Sequence, residues 1–430
     1  MAANSEARVL RPAPGSGRAR YTELEAFRGV AGALLIIYHA YQFSREGAGA
    51  DTYLFEGTPL HTVLIGLVGT AWFFSLSGFL LFLPFARAGI EQMGQASARG
   101  FLIRRAIRIV PLYYTAILVV WTLRFFGHPD QWVDLLQHLT FTHVYDNRHI
   151  FYTIGPAWTL GVEASLWVLI ALLGPLLYRL CSRLSWVQRV AVHGGVAIAL
   201  FALSVSIKWW AANVAMIPRD NYVFWYGVFS RGDSFFLGML LAVIVAATGG
   251  AAVLSRPATI LIRSLGVAIF LSAVLLRAGN EAVDTFFHTF SGIAFTLVLA
   301  STVLAPAGGA WAASLRHPLL QFLGLISYSL FLWHEPLMIE FSKRGLLFSP
   351  EPEAFPRNAV LLLLTTVLVA ALIHKVIEAP FLELRKIFDR RGRVRDPYAE
   401  AYAIDAADVA STPPYDGPPL PLPPQARPSE

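Results

Sequence analysis

Apolar runs about twenty residues long, separated by short polar or Gly- and Pro-containing breaks, recur along this chain from residue 28 to residue 378. A helix needs about 20 apolar residues to cross a bilayer. On that measure the pattern predicts ten spans, near 28–45, 60–84, 101–126, 155–178, 190–210, 222–247, 258–277, 286–305, 319–341 and 358–378. The stretch 132–146, QWVDLLQHLTFTHVY, is too short and too polar for a span and reads as interfacial or re-entrant. The expected fold class is all-α, a polytopic membrane helical bundle of about ten transmembrane helices, because a helix satisfies its own backbone hydrogen bonds in hydrocarbon.

Composition agrees with this pattern. Of 430 residues, 56% are hydrophobic and 14% charged, against roughly 45–50% and 25% in soluble domains, and mean hydropathy is +0.54. Lys and Arg in short loops are retained in the cytoplasm. Arg8, Arg11, Arg18 and Arg20 therefore put the N-terminal arm, residues 1–20, inside. Ten spans then place Arg87 and Arg99, Arg179, Arg183 and Arg189, Arg256, Arg316, and the tail cluster from Arg385 to Arg395 inside as well. An eleventh span at 132–146 would send several of these clusters outside. The expected location is the cell membrane, multi-pass, with both termini cytoplasmic.

The net charge of +6 is accounted for by these flanks, so no nucleic-acid partner is implied. The first apolar run has an Arg-rich flank but no small-residue cleavage site, and it is expected to act as a signal anchor. Cys181 stands alone, which excludes an internal disulfide and a cysteine-based zinc site. No metal is expected. Residues 386–430 are expected to form a basic and then Pro-rich disordered cytoplasmic tail, with PPY and GPPLPLPP near its end. Between arm and tail, residues 21–385 read as one membrane domain without internal repeats.

Ionisable groups inside the apolar runs mark candidate chemistry, since they are costly in hydrocarbon and usually face a protein interior or a wet cavity. Arg28 and His39 are eleven residues apart in the first run. That is about 1100° of helical rotation, three turns plus ~20°, so both project from one face about 16 Å apart along the axis. An Arg snorkelling to the interface beyond a packed His is the other reading of this pair. Arg105 and Arg108, beside Arg104 in FLIRRAIRIVPLYY, lie one turn apart at the start of the third span. They are either topogenic charges or, with Arg28 at the same depth on another helix, an anion clamp for a polyphosphorylated cytosolic ligand. Glu163, in PAWTLGVEASLW, reaches a central level about 10 Å below the outer surface by helical rise. A carboxylate there can orient the His39 imidazole and stabilise its protonated form, or else pair with an unrelated Arg or Asn for structure.

Five stretches taken together resemble the acyltransferase 3 family of integral membrane acyltransferases. LEAFRGVAGALLIIYH resembles its opening signature, an Arg or Lys, ten residues and a His. WFFSLSGFLL resembles its FF-x-LSGFL stretch, here Phe73, Phe74, Ser77, Gly78 and Phe79. RRAIRIVPLYY matches Arg-x-x-Arg at Arg105 and Arg108, WTLGVE matches W-[ST]-L-x-x-E at Trp158 and Glu163, and ISYSLFLWHEPL matches SYxxYLWHxP at Ser327, Tyr328, Trp333, His334 and Pro336. The departures are mild: Glu25 stands where Asp is common, Ala26 where Gly is common, and Phe331 where Tyr is common. The matches run in family order from residue 21 to about 385.

The resemblance implies transfer of an acyl group, most often acetyl, from cytoplasmic acyl-CoA to a hydroxyl of a carbohydrate, cell-surface glycan, glycolipid, or glycosylated or macrolide metabolite. It implies His39 as catalytic base, Glu163 as supporting acid, and Arg28, Arg105 and Arg108 as contacts to the CoA phosphates. Ser77, Trp158, Tyr328 and His334 are the candidate substrate-binding positions of the same motifs. Acyl-CoA would be a co-substrate, with no permanently bound cofactor. A hydroxyl is a poor nucleophile at neutral pH, and a positioned imidazole can contribute ~10²–10⁴-fold to its attack on a thioester. The expected route is direct, with an acyl-enzyme on Ser75, Ser77 or His39 as its alternative. The rival class is a transporter or flippase whose path would be lined by Arg231, Asp233 and Glu335.

Overall fold

The computed structural model describes residues 22–47, 53–92, 94–306, 308–347 and 354–384. The expected N-terminal arm and Pro-rich tail lie outside the described residues. Among the described residues the chain is helical and has no strand. The principal helices are α1 (Glu23–Gly47), α2 (Pro59–Gly66), α3 (Thr70–Glu91), α4 (Ala98–Phe125), α5 (Trp132–Leu139), α6 (Trp158–Leu180) and α7 (Trp186–Asn213). They are followed by α8 (Val228–Ala247), α9 (Arg256–Leu276), α10 (Phe287–Val303), α11 (Pro318–Leu325), α12 (Ser327–Lys343) and α13 (Ala354–Ile373). Side-chain caps set several starts: Ser97 accepts from the Gly100 amide before α4, Ser255 accepts from Ala258 before α9, and Ser185 with Gln188 forms a capping box on α7.

Every expected apolar run is occupied by helix, but they are not ten equivalent spans. Seven segments among the described residues are long and apolar enough to cross a membrane: Pro59–Glu91, Ala98–Phe125, Gly155–Leu180, Trp186–Asn213, Tyr222–Ala247, Arg256–Gly279 and Ala354–Leu384. The expected span at 319–341 is instead two helices, α11 and α12, meeting at a 69° bend. Helix α10 has 17 residues, short for a bilayer, and α1 is long enough but is interrupted by Arg28 and His39. The last two belong to the bundle by packing rather than by hydropathy.

Helices α3 and α8 form the centre, with 61% and 67% of their apolar stretches buried, whereas α7 and α9 bury 17% and 22% and turn residues such as Leu203, Ile260 and Leu261 outward. The central pair crosses at two glycines. A Cβ on Gly78 would come within 2.0 Å of the Phe235 carbonyl oxygen, and one on Gly238 within 2.0 Å of the Ser75 carbonyl oxygen. Small residues at such crossings let backbones approach and gain dispersion contact where lipid offers no hydrophobic drive.

The 132–146 stretch forms the short helix α5 and a following turn, as expected of a non-spanning segment. Trp132, Val133 and Leu136 face outward while Asp134, Leu135 and His138 are buried. The His138 and His143 rings stack with centroids 4.1 Å apart, and Thr153 donates to the Asp134 carboxylate. Burial, with His138 close by, pushes the His143 imidazole down to about 3. An unfolded His titrates near 6.5, so the opened chain binds the extra proton. The stability held by neutral His143 is complete above about pH 6.5 and falls by at most about 1.4 kcal/mol per pH unit as pH drops through that window toward 3. Hydrogen exchange over 132–146, corrected for intrinsic chemistry, is expected to accelerate between about pH 6.5 and about pH 4.5. His143→Phe, which keeps the stack, should remove that acid sensitivity.

Candidate active site

Helices α1, α3, α4, α6 and α12 enclose a cavity of about 100 Å³ whose polar lining includes Arg28, Arg105, Arg108, Ser77, Glu163 and Tyr328. Phe73, Phe74 and Phe331 supply much of its apolar wall. Arg28, Tyr328, Ser77 and Glu163 are each held by a hydrogen bond. Arg28 donates from Nη1 to Glu25 Oε1 at 2.6 Å, one turn back on α1, both being largely buried. Its helix lies hard against α11, where a Cβ on Gly324 would come within 2.1 Å of the Glu25 carbonyl oxygen. The bend after α11 then delivers Ser327, Tyr328 and Phe331, from the start of α12, to the cavity. Tyr328 donates to the Ile109 carbonyl at 2.8 Å and so ties α12 to α4 beside Arg108. Ser329 donates to Glu378 at 2.9 Å, within the π turn His374–Glu378 that follows α13.

Ser77 donates to Glu163 Oε1 at 2.6 Å, which links α3 to α6, and the cations facing that carboxylate are Arg105, Arg28 and Arg108. Three guanidinium groups against Glu163 and Glu25 leave the cavity formally cationic. Planar guanidinium groups bind phosphate through paired hydrogen bonds, so the excess charge suits a phosphorylated molecule.

His39 does not line this cavity. Its ring lies 5.0 Å from that of His334, which is 6.2 Å from the ring of Phe331 in the cavity wall. The expected pairing of Glu163 with His39 is therefore corrected: the carboxyl group takes Ser77 and faces Arg105, Arg28 and Arg108, whose fixed charges and forked donors suit it. His39 has His334 as its ring neighbour instead. His334 Nδ1 lies 3.2 Å from the Leu330 carbonyl. A carbonyl only accepts, so Nδ1 carries the proton and Nε2 presents a lone pair. That Nε2 is buried without a hydrogen-bond partner among the described residues. Trp158 is beside the cavity rather than in its lining, 6.0 Å from Phe74 and edge-on to Tyr226 at 4.8 Å.

Sequence reasoning missed a buried network. Lys208 of α7 donates to Asp233 of α8, and Thr289 of α10 donates to the same carboxylate oxygen. The signal available was Lys208 itself, a lone cation within the 190–210 run. Asp233 is thus engaged, and Glu335 accepts from the Gly155 amide at 2.7 Å, so both acidic members of the proposed transport path hold structural bonds. Among the described residues no three His, Cys, Asp or Glu side chains are grouped to hold a metal ion.

The described residues thus form a bent, helical bundle with an arginine-lined cavity whose Phe331 wall adjoins the His39–His334 ring pair. A family profile described as an acyltransferase domain matches residues 21–375, and the chain belongs to the acyltransferase 3 family. The chain is 25% identical over 340 residues to a peptidoglycan O-acetyltransferase, OatA, of Listeria monocytogenes. That alignment covers 73% of this chain and 51% of the relative, so the chain spans about half the length of the curated relative it matches. No solved structure matches the chain.

Proposed function

We propose that this protein is a cell-membrane O-acyltransferase that takes an acyl group, acetyl in the simplest case, from cytoplasmic acyl-CoA. It passes that group to a hydroxyl of a glycan presented at the opposite face. The observation that carries the reading is the convergence of Arg28, Arg105 and Arg108 from two helices on one interior cavity. His39 stands farther along the same helix as Arg28, by about 16 Å of helical rise. The CoA phosphates lie against the arginines, and the extended pantetheine arm carries the thioester toward the His39 and His334 rings. The acceptor hydroxyl attacks the thioester carbonyl carbon while His39 takes its proton. The C–S bond then breaks, and the CoA thiolate leaves and recovers a proton from the imidazolium as free thiol. His334, with its lone pair at Nε2, is a relay for that proton.

Direct transfer is favoured over an acyl-enzyme. Ser75 is fully buried and donates to the Ser234 carbonyl at 3.0 Å, and Ser77 is held by Glu163. Purified protein given radiolabelled acetyl-CoA without acceptor should retain no label. With a glycan acceptor it should release CoA thiol, and absence of release with every acyl-CoA and acceptor tried would refute the reading. Arg105→Gln and Arg108→Gln should each weaken acyl-CoA binding by about 1.5–3 kcal/mol, roughly ten- to a hundred-fold, with Lys rescuing only part. Calorimetry on correctly folded variants checks this, and wild-type affinity for both would reduce the pair to topogenic charges.

A further inference from the structure

At the His39 end of the bundle a second group of side chains converges. The guanidinium of Arg231, in the first turn of α8, lies 4.7 Å from the Tyr226 ring and 5.7 Å from the Trp158 ring. Those two rings meet edge to face. Tyr38 of α1, Arg277 and His288 of α10 lie within electrostatic reach of it. Tyr38, Tyr226, Arg231 and His288 are all partly accessible although they come from separate elements of the bundle. The cluster therefore borders open space and does not close on itself.

Its charges do not balance. Lys208 has Asp233, and Arg277 has Asp284 at 2.7 Å. Arg231 has no ion-pair partner among the described residues, its Nε is buried without a hydrogen bond, and the buried Nδ1 of His288 lacks a partner too. Asp233, two residues on, lies on another face of α8 and is already held by Lys208, Thr289 and the Ser234 amide. An intramembrane arginine without a counter-ion is costly as structure. As a receptor it is well made, because a guanidinium that stacks on aromatic faces keeps its planar fork for two oxygens of one anion.

We propose that Arg231, cradled by Tyr226 and Trp158, is the anion receptor of the acceptor subsite. It takes a carboxylate or phosphate carried by a sugar whose apolar ring face packs on the aromatic side chains, and the enzyme thereby selects acidic over neutral glycans. This rests on the acyl-transfer reading above and names its acceptor class.

The test is calorimetric titration of the full-length protein in detergent, without acyl donor, using three soluble probes. These are a neutral N-acetylglucosamine trimer, a galacturonate trimer and N-acetylglucosamine 6-phosphate. At least one acidic probe should bind about tenfold or more tightly than the neutral one, and which acid binds identifies the oxyanion. Arg231→Gln should erase that preference while acyl-CoA affinity is unchanged, and Arg231→Lys should keep part of it. Equal binding of neutral and acidic probes to the wild type, or a preference that survives Arg231→Gln, overturns the proposal. If the Gln variant does not fold, the wild-type comparison and Arg231→Lys still decide. Arg231-dependent acid binding without any thiol release would sink the acyl-transfer reading, and with it the acceptor role, but leave Arg231 an anion receptor. Thiol release without acid preference would sink this one alone.

Discussion

His39→Ala should lower acyl transfer by about 10²–10⁴-fold while leaving acyl-CoA bound with nearly wild-type affinity. On the proposed reading the two effects separate because phosphate binding and proton transfer fall at different levels of α1. Arg28, Arg105 and Arg108 line the cavity and His39 does not, so in that reading removing the imidazole would delete a base and no binding charge. The ring sits beside His334 at 5.0 Å without closing the cavity, so the truncation leaves the packing of α1 on α11 in place. Initial rates of CoA thiol release and calorimetric acyl-CoA affinity, taken on the same preparation, check both halves. Turnover at the wild-type rate would remove His39 from the mechanism. Loss of acyl-CoA affinity together with turnover would make it part of the binding site instead.

Lys208→Met should cost about 3–5 kcal/mol of stability, since it leaves the Asp233 carboxylate buried without its cation. The residues concerned are 3% and 0% exposed, and no water-facing rotamer relieves the charge. Replacing the whole set with apolar groups, Lys208→Met with Asp233→Leu and Thr289→Val, should recover most of that loss, because a buried ionic cluster is often no more stabilising than a well-packed hydrophobic one. None of the three lines the arginine cavity, so acyl transfer by the triple variant should stay near wild type. Thermal unfolding in detergent and thiol release measure the two outcomes. A stable but inactive triple variant would give the Lys208, Asp233 and Thr289 set a role in acyl transfer beyond structure.

Much of the architecture was legible in the sequence because lipid imposes a one-dimensional rule: a segment must be long, apolar and helical to cross. That rule located the helical runs, excluded a span at 132–146, and marked Arg28, His39 and Glu163 as groups too costly to be idle. Helical periodicity put Arg28 and His39 on one face, and the ordered motifs identified the family. Three-dimensional packing decided the rest. The 69° bend before Ser327 turns a continuous apolar run into two helices, and hydropathy carries no trace of it. Which acid meets which base was equally hidden: Glu163 went to Ser77 and the arginines, His39 to His334, and Asp233 to Lys208, 25 residues away in sequence. Periodicity fixes the face of a helix a residue occupies but not which helix lies opposite it. Partners of buried charges are chosen by that second fact, so the sequence determined which side chains had to be satisfied and only the tertiary structure determined by what.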